Sequence, residues 1–200
     1  MTIVLIIVAV IAVLAIGAVL SYNRFVSERN GIRSSWANID TELRRRYDLI
    51  PNLVETVKGY ASHERETLEA VTNARAAAAA STGTPAEQAA AEGPLVGALR
   101  QLFAVSERYP DLKANQNFLQ LQAELANTED RLQAARRFYN ANVQTFNRRV
   151  QSFPSSMIAR QFGFKEEQYF EIEPALRAQM EQAPHVDFGS GGGSTPPADS

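Results

Sequence analysis

The sequence predicts an all-α protein: an N-terminal transmembrane helix followed by an antiparallel four-helix bundle. Three observations carry that prediction. Every residue from Ile3 to Leu20 is Ile, Val, Leu, Ala or Gly. From Phe25 onward, apolar residues recur at helical spacing through Ile32, Trp36, Ile39, Leu43, Tyr47, Ile50, Val54 and Val57. No stretch shows the sustained period-two alternation or the paired turn residues of a β-hairpin. The composition, 45% hydrophobic and 21% charged, is that of a chain able to fold around a core.

The apolar run would span roughly 27 Å as a helix, about the thickness of a hydrocarbon core. A cleaved signal peptide is the rival reading, but only Met1 and Thr2 precede the run and Ala18-Val19-Leu20-Ser21-Tyr22 offers no small-x-small cleavage pattern. An uncleaved anchor in contact with the lipid bilayer through residues 3–20 is therefore expected. Arg24, Arg29 and Arg33 follow the run and no Lys or Arg precedes it, so the positive-inside rule places the remainder of the chain in the cytoplasm.

Each later element has its own signal. Pro51 lies inside the first apolar stripe, with Arg44, Arg45 and Arg46 suited to a helix C-terminus and Asp48 to the next N-terminus. A break or sharp kink is expected near Asp48–Pro51, with one kinked helix as the alternative because the stripe keeps its phase. The second helix fades into Ala76–Ala80 and ends at Ser81-Thr82-Gly83. Thr84-Pro85-Ala86-Glu87 reads as a capping box with proline at the first helical position. Gly93-Pro94 is expected to interrupt again before a third helix that ends at Tyr109-Pro110. The fourth helix carries Phe118, Leu125, Leu132, Tyr139, Phe146 and Phe153, spaced seven apart, with Asn117 and Gln120 as its start and Pro154 as its end. Its companion stripe drifts, which suits a bundle helix better than a two-stranded coiled coil. Ser155–Gly163 suggests a short extra helix, and Phe164–Leu176 is ambiguous. The expected organisation is an anchor over residues 1–21, a bundle over 22–182 and a disordered Gly/Ser/Pro tail over 183–200.

Chemistry is hard to find in this chain. It has no cysteine, which excludes disulfides, zinc–thiolate sites and thiol nucleophiles. His63-Glu64 opens like a zincin helix, but the second histidine would have to be Thr67. Neither histidine has the Glu-x-x-His of a di-iron bundle, and there is no phosphate-binding loop or nucleophile elbow. A net charge of −2 argues against a nucleic-acid partner. No catalytic, cofactor or metal site is expected. The densest positive cluster, Arg44-Arg45-Arg46, is a solvated helix end on the simplest reading and an anion or partner site on the functional one.

Several stretches together form one set of motifs. They are Arg29-Asn30, Trp36-Ala37-Asn38-Ile39-Asp40, Arg44 through Val54, Lys58-Gly59-Tyr60-Ala61, His63-Glu64 and Tyr109 through Asn115. Leu121-Gln122, Glu124-Leu125, Thr128-Glu129, Tyr139-Asn140, Phe153-Pro154 and Phe162-Gly163-Phe164 complete the set. Together these stretches resemble the LemA family of bacterial single-pass membrane proteins, over about residues 20–172. The resemblance implies a helical bundle on a membrane anchor at the bacterial inner membrane, and no catalytic residue. The motif residues Trp36, Asp40, Arg45, Asp48, Pro51, Asn52, Tyr109 and Lys113 are carried over as positions of interest, each as readily structural as functional.

The expected role is a non-enzymatic interaction or scaffold protein whose partner is another membrane protein or a second copy of the chain. Arg44, Arg45, Arg46, Asp48, Asn52 and Lys113 are its candidate contacts. The alternatives are an envelope-stress or lipid-interacting module, or an accessory subunit of a membrane enzyme.

Overall fold

A computed structural model describes residues 1–171; the expected tail over 183–200 lies outside the described residues. The chain forms α1 (Thr2–Lys58), α2 (Arg65–Ala80), α3 (Pro85–Ser106), the single turn α4 (Pro110–Lys113), α5 (Gln116–Gln151) and α6 (Ser155–Phe162). No strand occurs among the described residues.

At ~1.5 Å per residue, the 57 residues of α1 extend about 85 Å. The first third is the apolar run, none of whose large side chains is buried against the rest of the chain. The remainder is the spine of the bundle, burying Phe25, Ile32, Ile39, Leu43, Tyr47, Ile50, Leu53 and Val57. The apolar run and the first bundle helix are thus one uninterrupted element.

The expected break at Asp48–Pro51 does not occur. A proline has no N–H for the carbonyl four residues back, here that of Tyr47. In this fold the Arg75 Nε on α2 donates to the Tyr47 carbonyl at 3.2 Å, and Pro51 itself faces solvent. The helix continues to Lys58, and the reversal comes at Gly59–Glu64. The expected interruption at Gly93-Pro94 is also absent: α3 runs through it, with Pro94 and the Ala90 whose carbonyl it frees both on the exposed face.

The capping box forms as expected. Glu87 N donates to Thr84 Oγ1 at 3.3 Å, and Thr84 N donates to Glu87 Oε2 at 2.6 Å. At the start of α5 the cap is Asn115, whose Oδ1 accepts from Phe118 N at 3.0 Å, in place of the expected Asn117.

α1 runs away from the apolar run, α2 returns, α3 runs out again and α5 returns. Arg108 on the far side of α3 reaches Glu64 at 2.9 Å, and Arg149 near the end of α5 reaches Glu28 at 2.8 Å. The four helices coexist only over the distal half, because α2 and α3 are short. In the proximal half α1 and α5 pair alone, and their exposed seam is closed by α6 and the extended segment that follows it. Gly163, at φ 70°, provides the left-handed turn into that segment.

The extended segment is tied to α5 by two asparagines seven apart. Asn147 donates to Glu167 O at 2.9 Å and accepts from Glu167 N at 2.8 Å. Asn140 makes the same pair of bonds with Phe170, at 3.2 and 2.9 Å. These bonds supply backbone partners that a lone extended strand lacks. Phe164 then stacks on Phe25 at 4.8 Å between centroids, and Phe170 lies 5.6 Å from Trp36.

Candidate functional site

The middle of α1 carries four successive side chains divided between surface and core, because helical residues advance about 100° each. Arg44 and Arg45 are exposed, Arg46 is buried and Tyr47 is buried. The expected single cluster of three arginines is therefore divided. Arg46 is withdrawn into the core, and only Arg44 and Arg45 are available at the surface.

Arg46 belongs to a buried polar network. Its side chain is 8% exposed, and its Nη1 lies 3.0 Å from Glu129 Oε2 on α5 and 3.5 Å from Glu92 Oε2 on α3. The Glu129 contact is an ion pair without hydrogen-bond alignment. Glu92, fully buried, accepts a hydrogen bond from the Tyr47 hydroxyl. Gln88 Nε2 donates to Tyr47 Oη at 3.0 Å and to the Ala78 carbonyl at 3.2 Å. Burial, reinforced by the neighbouring Glu92 carboxylate, pushes the Tyr47 phenol well above its usual pKa, so it stays a donor. Four helices are joined here: α1 through Arg46 and Tyr47, α2 through Ala78, α3 through Gln88 and Glu92, and α5 through Glu129.

Arg136 on α5 extends the network toward the proximal half. Its guanidinium carbon lies 4.8 Å from the centre of the Phe170 ring. Burial lowers its pKa, opposed by the Glu129 carboxylate, and its buried Nε and Nη2 have no hydrogen-bond partner among the described residues.

Above this network lies a cleft of about 360 Å³. Tyr47, Leu43 and Gln88 form its floor. Trp36, Asp40, Arg44, Asp48 and Arg75 form one rim, and the α2–α3 loop at Ser81-Thr82-Gly83 forms the other. Arg44 pairs with Asp40 at 2.9 Å along the helix. The rim thus carries two carboxylates and two guanidiniums beside an indole face. Trp36, on the apolar stripe of α1, is half-buried at the cleft edge and packed against the core, with Tyr139 and Phe170 each 5.6 Å from its ring.

The other expected contacts are dispersed. Arg45 and Asn52 are exposed on α1, and Asn52 contributes its carbonyl to Thr56 Oγ1. Lys113 on α4 pairs with Glu107 at the distal end, next to where Asn115 meets Tyr60 at 2.9 Å. Sequence reasoning brought Arg44 and Asp48 to the cleft but missed Arg75, Gln88 and Glu92. The available signal for Glu92 was a carboxylate falling among the apolar positions of α3, four before Val96 and three before Leu95. No cluster of His, Cys, Asp or Glu suited to a metal ion occurs among the described residues.

Comparison with known proteins places this architecture. The sequence profile described as the LemA family matches residues 35–188. Magnetosome protein MamQ 2 of Paramagnetospirillum magneticum is 27% identical over 198 residues, covering 86% of this chain and 73% of its own. Protein LemA of Metamycoplasma hominis is 26% identical over 162 residues, covering 80% and 73%. Magnetosome protein MamQ of Magnetospirillum gryphiswaldense is 26% identical over 179 residues, covering 77% and 66%. The matched region contains the whole buried network, the cleft and the extended segment along α5. The chain belongs to the LemA family.

Proposed function

We propose that this protein is a membrane-anchored binding platform: α1 holds the bundle at the cytoplasmic face of the bacterial inner membrane, and the cleft beside Trp36 receives a segment of a partner protein. The observation that carries this reading is the contrast between the cleft's floor and its rim. The floor is locked by Tyr47, Gln88, Glu92 and Arg46, while Arg44 and Asp48 on the rim stay exposed to an incoming chain. Pre-organised polar groups around an apolar indole face suit a peptide carrying both charge signs. The balanced rim gives no particular preference for phosphate or nucleic acid.

The proposed role is binding without turnover. Among the described residues, burial holds the Tyr47 and Tyr139 phenols protonated, so neither supplies a base near neutral pH. Anchoring raises the local concentration of the cleft for partners in the same membrane.

The test is Arg44→Glu and Asp48→Lys on the cleft rim, examined in native membranes with a cross-linker. Both residues are exposed, so both variants are expected to keep the wild-type helical circular dichroism and melting temperature while losing a cross-linked species. Unfolding of either variant would make the patch structural, and undiminished cross-linking would remove the cleft from the binding surface.

A further inference from the structure

The corner between α5 and α6 sits at the end of the bundle nearest the apolar run. α5 returns along α1 as far as Arg149, whose Nε donates to both Glu28 oxygens at 3.0 and 2.8 Å. Beyond it, α6 carries Phe162 to Tyr22, with ring centroids 4.8 Å apart. Tyr22 is two residues past Leu20, so only about 3 Å of helix separates this contact from the end of the run. Where residues 3–20 cross the bilayer, the reading on which this inference rests, the corner stands at the level where hydrocarbon gives way to headgroups.

At that level the chain exposes large apolar side chains. Phe153 is 80% exposed, Met157 62% and Phe162 56%. Phe153 was expected to continue the buried seven-residue stripe of α5; α5 ends at Gln151, and the side chain is turned outward. The same stretch is basic throughout. From Arg148 to Lys165 it contains Arg148, Arg149, Arg160 and Lys165 and no Asp or Glu. Among the described residues only Arg149 of these four pairs with a carboxylate. Acidic residues resume at Glu166 and Glu167, and Glu167 pairs with Arg29 at 3.5 Å. Exposed aromatic and aliphatic groups flanked by unpaired cations, continuous with a membrane helix, are complementary to an anionic lipid surface.

We propose that the corner from Phe153 to Phe162 is a second membrane contact. Phe153, Met157 and Phe162 enter the interfacial layer, and Arg148, Arg160 and Lys165 meet anionic headgroups. The bundle is then held against the bilayer at two points and does not pivot freely on α1, which fixes the height and direction of the cleft.

The absence of native cysteine makes the test clean. The full-length chain with Met157→Cys carries a polarity-sensitive fluorophore and is reconstituted into vesicles of phosphatidylcholine and phosphatidylglycerol. Leu14→Cys inside the run and Thr82→Cys on the cleft loop serve as references. The label at Met157 is expected to show blue-shifted emission and to be quenched by lipids bearing a nitroxide near the glycerol backbone, while the label at Thr82 is not. Quenching at Leu14 with water-like emission at Met157 would overturn the corner and leave the span intact. No quenching at Leu14 would overturn the span and the corner with it. Removing phosphatidylglycerol, or adding Arg160→Glu, is expected to return the Met157 emission toward that of water; an unchanged spectrum in both would overturn the role given to the cations.

Discussion

Glu92 accepts from the Tyr47 hydroxyl and pairs with Arg46, and its replacement shows what the buried network contributes. Glu92→Ala leaves the Tyr47 hydroxyl without its acceptor and Arg46 with only the misaligned Glu129. Removing one partner of a buried charge pair typically costs ~3–5 kcal/mol. The remaining Glu129 places the expected loss near the lower end, read as a reduced denaturation midpoint of the detergent-solubilised chain. Glu92→Gln, which keeps an acceptor for the phenol, is expected to lose less. Tyr139 offers a second residue-scale prediction. Its hydroxyl donates to Gln168 O at 2.8 Å, and burial, with the nearby Glu167 carboxylate, pushes its pKa up to about 12. Below pH 10 both folded and unfolded chains keep this proton, and the stabilisation is complete. Above pH 10 the unfolded phenol ionises first, so stability is lost as pH rises toward 12. At ~1.4 kcal/mol per unit this amounts to about 3 kcal/mol, and Tyr139→Phe is expected to flatten the decline. Neither network was legible in the sequence. Periodicity identified Tyr47 and Tyr139 as inward-facing, but it cannot say which distant polar group a hydroxyl meets. It also placed Trp36 on the inward stripe; the shortness of α2 and α3 leaves that level of α1 only partly covered.

Helix boundaries depended on where freed backbone groups find partners. The Thr84 capping box was readable because donor and acceptor lie three residues apart in the chain. Asn115 competes with Asn117 for the same role two residues apart, and the turn of α4 decides between them. Pro51 misled for a tertiary reason: the guanidinium replacing its lost hydrogen bond arrives from Arg75, remote in sequence. This predicts a specific coupling. Arg75→Ala should cost roughly 1.5 kcal/mol in the native chain, where it leaves the Tyr47 carbonyl unpaired. In a Pro51→Ala background residue 51 regains its N–H and can satisfy that carbonyl, so the same Arg75→Ala change is expected to cost clearly less. Additive effects in this double-mutant cycle would show that Arg75 acts elsewhere.

For the whole molecule, the sequence revealed the plan more readily than the site. The apolar run, the bundle and their order were visible from hydropathy and period alone, because those signals are local. That α1 is continuous from Thr2 to Lys58, and that the proximal half is completed by an extended segment, depended on long-range contacts. On the proposed reading the continuity matters for function: a helix without a linker transmits the position of a membrane span to the cleft. The central claim is that the cleft works at the membrane because α1 carries it there, and this requires residues 2–20 to remain attached. Intact mass of the chain extracted from native membranes tests it most directly. The account predicts a mass that includes residues 2–20; a mature chain beginning at Ser21 or Tyr22 would contradict it.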